Sequence, residues 1–314
     1  MAKFKQNHNK GEASNGMVVR VGLFATILGA LFWGFNQFMG GKSAEEEGGN
    51  SDGRTEILVD KGPGQSVIPL VDETIFPTST TGQVIKHTYY GLSYSEEHEQ
   101  AEWVAYELFK EQMYPPFVER TDNFRPDPKV RKASASTRDY KGTGYDRGHL
   151  VPAGDMNFDK KAMSETFFMS NISPQIRNFN GGIWRELEET TRSWVKKFKH
   201  LYIVTGPILN ENVREQIGNN QVSVPEAYFK VLLDADEPEY KAIAFVIPNE
   251  LSFQPLEKYA VSIDEVEDIT GIDFFHQLLT KEDQAVLEGE YDVSLWPMNQ
   301  KKFDIRVKEW NKRR

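Results

Sequence analysis

The chain predicts an α+β domain, with a central antiparallel sheet and flanking helices, preceded by one N-terminal transmembrane helix. Three observations carry that reading. Short apolar or alternating runs recur in the second half of the chain and read as strands: TFFMSNI (166–172), HLYIVTG (200–206), AYFKVLLD (227–234) and YKAIAFVI (240–247). Two segments, 96–113 and 182–198, have helical spacing of their apolar residues. One apolar run of 19 residues, MVVRVGLFATILGALFWGF (17–35), stands apart from the rest.

In chain order, residues 1–16 are polar and basic, and the 19-residue run after them is about long enough to cross a bilayer as a helix. Lys3, Lys5, Lys10 and Arg20 lie at its start, and Glu45, Glu46 and Glu47 follow it. The positive-inside rule then reads 1–16 as a cytoplasmic N-terminus and 17–39 as a signal-anchor. Everything after the anchor is expected outside the cytoplasm, periplasmic or extracellular, with the membrane as a partner. A cleaved signal peptide is the competing reading, because the uninterrupted apolar core from Val21 has only 15 residues. No A-x-A-like site follows closely. Residues 40–66 read as a flexible linker rich in Gly, Ser and charge, interrupted by one short strand-like run, EILVD. The folded domain is expected over 67–314.

Within that domain, Ala101, Val104, Leu108 and Met113 fall near helical spacing, with Pro115 and Pro116 as a stop. The second helix, 182–198, has Ile183, Trp184, Leu187, Trp194, Val195 and Phe198 on one stripe, with acidic residues leading and lysines trailing, as the helix dipole favours. Pro207 and Pro248 close two of the strands.

Composition limits the chemistry. The chain has no cysteine among its 314 residues, which excludes disulfides and thiolate metal sites. A net charge of −10 argues against a uniformly basic nucleic-acid binder, but charge is segregated. Residues 115–147 hold eight Lys/Arg against five Asp/Glu, and the tail 301–314 holds seven against two. Taken alone, both read as solvated surface. No H-E-x-x-H and no phosphate-binding G-x-x-x-x-G-K-[ST] stretch is present, and His87 and His98, eleven apart, form no metal site and read as structural or exposed.

The stretch YDRGHLVPAGDM (145–156) spends one of six histidines beside an arginine. A neighbouring cation disfavours the imidazolium, so His149 suits a general base acting on an anionic substrate. Its place between KGTGY and a proline-containing run puts it on a strand end or loop. Downstream, Asn180 lies at or just before the start of the second helix, and Glu188 follows eight residues later. On a straight helix they stand about 80° apart around the axis and about 12 Å along it. One hydrated hard cation could touch both, the first directly and the second through water. Each residue also has a bland reading: His149 as a hydrogen-bonding loop residue, Asn180 as a helix N-cap, Glu188 as a solvated charge.

Together these residues resemble the DNA/RNA non-specific endonuclease family, the DRGH-motif, ββα-metal, endonuclease G-like nucleases. The signature reads DRGHLVPAG here, and the second family segment matches Asn171–Gln175, then Asn180, Gly182, Trp184, Leu187 and Glu188. Further similarity extends the resemblance over about 76–290. It implies a ββα-metal nuclease that hydrolyses DNA and RNA to 5′-phosphate products with little base preference. It implies His149 as general base, Asn180 as the one direct protein ligand of Mg²⁺ (or Mn²⁺), and Glu188 behind metal-bound water. Arg147 and Arg120 would face the phosphate, with Arg125 close by as the alternative to Arg120, and Asp146 would order the loop or a metal-bound water. A homodimer and an inhibitor protein are compatible with it. A catalytically silent nucleic-acid-binding module and a phosphodiesterase for other nucleotide esters are the alternatives.

Overall fold

The computed structural model describes residues 68–78, 82–209 and 215–312. The N-terminal segment, the signal-anchor, the linker and the EILVD run lie outside these residues. Among the described residues, no helix is long and apolar enough to cross a membrane.

The strands are β1 (Gln83–Lys86), β2 (Tyr90–Ser95), β3 (Gln100–Phe109), β4 (Tyr145–His149), β5 (Ile172–Ile176), β6 (His200–Pro207), β7 (Gln216–Ile217), β8 (Val222–Ser223), β9 (Ala227–Asp234), β10 (Lys241–Pro248) and β11 (Ala260–Val261). The α-helices are α1 (Lys160–Glu165), α2 (Arg185–Phe198), α3 (Ile263–Thr270), α4 (Lys281–Leu287) and α5 (Gln300–Lys308). Seven strands form one antiparallel sheet in the order β1-β2-β3-β6-β9-β10-β11. β4 pairs with β5 in a separate antiparallel ribbon, and α2 follows it as the helix of a strand–strand–helix unit. The α+β class and the antiparallel sheet agree with the sequence expectation, as do β6, β9 and β10.

The segment read as a helix over 96–113 is instead β3 followed by a single 3₁₀ turn, Lys110–Met113. The cause is a β-bulge. Ser93 pairs with Trp103 while Tyr94 pairs with Ala101, which leaves Glu102 as the extra residue. The bulge resets side-chain parity, so Ala101, Val104, Tyr106 and Leu108 join one core cluster and Trp103 and Ala105 the other. A spacing of three and then four on one face imitates a helix, although a strand without a bulge keeps a period of two. Both faces of β3 are covered, so no polar side of the strand corrects the reading.

The run 166–172 is not a strand either. It turns through Thr166–Phe168, where Phe168 makes one isolated parallel bridge to Arg125, into a 3₁₀ turn at Met169–Asn171, and strand pairing begins at Ile172. Asn171 holds the turn: its Nδ2 donates to the carbonyls of Val151 (3.1 Å) and Thr166 (2.9 Å). Its Oδ1 accepts from the Val151 amide at 2.9 Å. The run is apolar because it is buried, with Phe167 and Met169 fully enclosed.

One face of the sheet packs against α2 through Leu187, Trp194 and Val195, with Trp184 and Trp296 beside them. The other face is covered by Phe76, Ile263, Val266, Phe274 and Phe275. The basic tail is only partly solvated surface. Arg306 of α5 is fully buried, ion-paired with buried Glu186 at the start of α2. It also donates to the carbonyl oxygens of Ser252 and Gln254. A guanidinium has five donors, and this geometry supplies a charge and two carbonyls to satisfy them.

Removing one member of a buried ion pair leaves the other charge uncompensated. Arg306→Ala is therefore expected to lower unfolding stability by about 3–5 kcal/mol. A urea melt at neutral pH checks this, and a loss under about 1 kcal/mol would show that Glu186 finds another partner or takes up a proton.

Candidate active site

The site begins on β4. Successive strand side chains point to opposite faces, so Arg147 and His149 leave β4 on the same side. Gly148 sits between them because a Cβ there would meet the Gln175 side chain at 2.1 Å. Close packing of the β4–β5 ribbon thus excludes a larger residue at the third position of the DRGH signature.

Two phenylalanines brace His149 and the arginines beside it. His149 stands 5.5 Å from the Phe124 ring and 4.9 Å, edge-on, from Phe167. Arg147 lies over Phe124 at 4.2 Å and Arg120 over Phe167 at 4.8 Å. Such cation–π stacking fixes flexible guanidinium groups without neutralising them. Arg120 also donates to Asp122 at 2.7 Å. Arg125, the alternative to Arg120, is used elsewhere. It lies over Phe168 at 3.9 Å and donates to the Ser164 carbonyl at 2.9 Å.

Burial, and then the positive charge of Arg120 and Arg147 against the weaker opposing effect of Asp122, pushes the His149 imidazole down to about 3. Its Nε2 is sealed from solvent and has no hydrogen-bond partner. The ring is neutral at any ordinary pH.

Asp146 organises the next group. One carboxylate oxygen accepts from Arg177 at 3.1 Å and the other from Asn180 Nδ2 at 3.3 Å. Asn180 does not cap a helix. It lies in a π-helical turn, Phe179–Trp184, which is broken at Gly182 (φ −109°, ψ −111°), and α2 starts only at Arg185. The straight-helix separation of Asn180 and Glu188 therefore does not hold. The turn points Asn180 at Asp146.

Glu188, on α2, belongs to a buried charge cluster. Arg192, one turn on, donates to Asp155 at 2.7 Å, and the Tyr106 hydroxyl donates to the other Asp155 oxygen at 3.0 Å. Lys230 reaches in from β9, with Nζ 5.3 Å from the Trp184 ring and 5.8 Å from Tyr106. Burial raises the Glu188 carboxyl above the usual range, with Arg192 and Lys230 opposing, and burial lowers Lys230, with Glu188 and Asp155 opposing. The bland reading of Glu188 as a solvated helix charge is corrected. Arg192 also lines a groove of about 450 Å³ with Asn157, Lys196 and Lys302.

The structure thus gathers His149, Arg147 and Arg120 into one group, ties Asn180 to the same strand through Asp146, and sets Glu188 among partners the sequence reading did not name. Asp155 lies inside the stretch that holds the DRGH signature, and Arg192 is four residues beyond Glu188 on the same helical face. Lys230 interrupts the apolar strand AYFKVLLD. Phe124 and Phe167 gave no sequence signal, because an aromatic brace looks like any core residue. His87 and His98 are structural: His87 bonds Asp127 at 2.9 Å and His98 bonds Ser223 at 3.0 Å.

Comparison with known proteins gives the site its family. Residues 71–281 match the model of the DNA/RNA non-specific endonuclease family. The mitochondrial nuclease EXOG of Homo sapiens is 33% identical over 245 residues, covering 73% of this chain and 66% of that protein. The mitochondrial endonuclease G of Homo sapiens is 34% identical over 205 residues, covering 61% and 69%. Nuclease C1 of Cunninghamella echinulata var. echinulata is 33% identical over 214 residues, covering 63% and 85%. A crystal structure of the EndoG/EndoGI complex superposes with a TM-score of 0.61 at 30% identity, covering 67% of this chain and 91% of that one. The match spans 59–66% of the length of the EXOG nucleases of zebrafish (Danio rerio), mouse (Mus musculus), Xenopus laevis and Homo sapiens. The chain belongs to the DNA/RNA non-specific endonuclease family.

The His149 environment makes a pH prediction. Its folded-state pKa lies below the unfolded value of about 6.5, so the unfolded chain binds the proton first. The stabilising contribution is full above about pH 6.5 and is lost as pH falls toward 3. In an NMR titration the His149 ring is expected not to titrate between pH 8 and 5, and Arg120→Gln with Arg147→Gln is expected to raise its pKa. A wild-type midpoint near 6.5 would refute the environment described.

Proposed function

We propose that this member of the DNA/RNA non-specific endonuclease family hydrolyses phosphodiester bonds of both DNA and RNA, with little base preference, to products ending in 5′-phosphate. The observation that carries the reading is a neutral His149 flanked by Arg120 and Arg147 on aromatic braces. Arginines beside a base suit an anionic ester, since they attract the phosphate while keeping the base unprotonated. His149 takes the proton of the attacking water, and Arg147 and Arg120 meet the charge that develops on the phosphate. Recognition through phosphate and sugar carries no base information, which accounts for low sequence preference. The groove lined by Arg192, Lys196 and Lys302, with Glu189 the one acidic residue in its wall, offers cations to a phosphate backbone beside the Glu188 cluster.

The family implies a divalent cation, Mg²⁺ with Mn²⁺ as substitute, held by Asn180 with Glu188 acting on its water shell. The residues fit. Asn180 donates through Nδ2 to Asp146, which leaves its amide oxygen as a hard ligand, and the half-buried Glu188 carboxylate follows on α2. When bound, such a cation supplies Lewis-acid stabilisation of the departing 3′ oxygen. Asp146 fixes the Asn180 amide, and Arg192 with Lys230 fixes the charge around Glu188.

The reading of residues 17–39 as an anchor places the domain outside the cytoplasm, where a non-specific nuclease is kept from the cell's own genome. A reporter fused after Arg314 is expected outside, and a cytoplasmic signal would refute this.

The activity is tested by degradation of plasmid and of RNA by the full-length chain, wild type against His149→Ala, in Mg²⁺ and in EDTA. Wild type is expected to nick both substrates, and His149→Ala to be slower by about 10²–10⁴-fold. EDTA is expected to abolish the reaction. A folded wild type that binds both substrates and cleaves neither, in Mg²⁺ or Mn²⁺, would instead make the chain a silent binding module. Cleavage of nucleotide esters alone would identify the phosphodiesterase alternative.

A further inference from the structure

A second group of carboxylates lies away from this site, on the part of the molecule that covers the opposite face of the sheet from α2. Asp264 and Glu267 stand on α3, whose buried face is Ile263 and Val266. Glu288 stands just past the C-terminal end of α4. The Asp264 amide donates to the Glu288 carbonyl at 3.0 Å, so the two helix ends are clamped together. One carboxylate oxygen from each of Asp264, Glu267 and Glu288 then falls within 4.8 Å of the others.

Acidic clusters are common and by themselves mean nothing. Glu288 is what distinguishes this one. The residue is only 4% exposed, and its Oε1 is buried without any hydrogen-bond partner while its carboxylate faces the other two. A buried polar atom without a partner costs about 1–3 kcal/mol, more when charged, so an oxygen in that state is waiting for a ligand. The neighbouring charges that act on Glu288 are Glu267, Asp273 and Asp264, all negative. These repulsions and burial, with burial the larger, push the Glu288 carboxyl up to about 8. Its place at a helix C-terminus adds a further penalty for negative charge and a further preference for a cation. Glu267 is fixed in position because the Phe274 amide donates to one of its oxygens at 2.8 Å.

We propose that Asp264, Glu267 and Glu288 form a Ca²⁺ site that ties the start of α3 to the end of α4. All the ligands are carboxylate oxygens, which suits a hard cation and not a zinc-type ion with its nitrogen and sulfur preference. A trio of protein carboxylates suits Ca²⁺, which takes about 6–8 oxygens in flexible geometry, better than Mg²⁺, which keeps several waters and is held by one or two carboxylates. Small side-chain movements bring the three oxygens, already within 4.8 Å of one another, onto one Ca²⁺, and water and backbone oxygens complete its shell. Binding offsets most of the charge of a carboxylate trio that has no cationic partner among the described residues. It is independent of the phosphodiester chemistry proposed above, and shares no residue with it.

The test uses the full-length chain stripped with EDTA, followed by calorimetric titration with CaCl₂ and by thermal unfolding in EDTA and in excess CaCl₂. Wild type is expected to bind Ca²⁺ and to melt at a higher temperature in CaCl₂. Glu288→Gln keeps the shape and removes the charge. It is expected to weaken Ca²⁺ binding at the site by at least about tenfold and to lose the Ca²⁺-dependent rise. Asp264→Asn, at an exposed position, is expected to lose the rise as well. Asn180→Ala is expected to keep it, which separates this site from the one assigned to Asn180. No Ca²⁺ response in wild type, an undiminished response in Glu288→Gln, or a response lost in Asn180→Ala would each overturn the proposal.

Discussion

Coverage of both faces of the β3-centred sheet is the constraint on which the remaining structure depends. β3 lies between β2 and β6 with every residue from Gln100 to Leu108 buried, and the bulge at Glu102 decides which of them faces which layer. Each large apolar side chain enclosed there contributes about 1.5–3 kcal/mol. That demand fixes α2 on one face, because Leu187, Trp194 and Val195 are the residues that cover it. The same helix then carries Glu188 and Arg192 to Asp155 and to Lys230 of β9. The placement of chemistry follows from the placement of hydrophobic surface.

A second theme is how the fold treats charge out of water. Arg306 and Glu186 neutralise one another and are further satisfied by two carbonyls. Glu188, Asp155, Arg192 and Lys230 share two charges of each sign, so the cluster is balanced as a whole although its members are shifted individually. His149 is treated differently: its surroundings are cationic and its solution is to stay neutral. Among the described residues, Glu288 is the buried carboxylate that faces other carboxylates with no compensating group among the neighbours that act on it. The contrast between the first two cases and the last is why an external cation is the natural partner there.

Much of this was legible in the sequence, and for identifiable reasons. The DRGH stretch, with a glycine between Arg147 and His149, and the spacing from Asn171 through Glu188 could be read without coordinates because short-range geometry and residue type carry them. β6, β9 and β10 were legible because apolar runs of strand length ended at turns or prolines. β3 was misread because a bulge and two buried faces erase the period of two. The run 166–172 was misread because burial in the interior, not sheet pairing, made it apolar. Arg306 was misread because the composition of the tail does not show which of its cations turns inward.

The sequence by itself determined the α+β class, the family resemblance and the identities of the residues at the site, since these depend on local pattern and on which side chains are present. The tertiary structure decided how those residues are held. Phe124 and Phe167 come from outside the signature to brace it, Lys230 reaches Glu188 from a strand forty-two residues away, and Asn180 turns to Asp146 through a break in the helix that periodicity could not show. Hydrogen bonds and screened charges act over a few ångströms of space. Only the packing of distant segments decides which groups come that close.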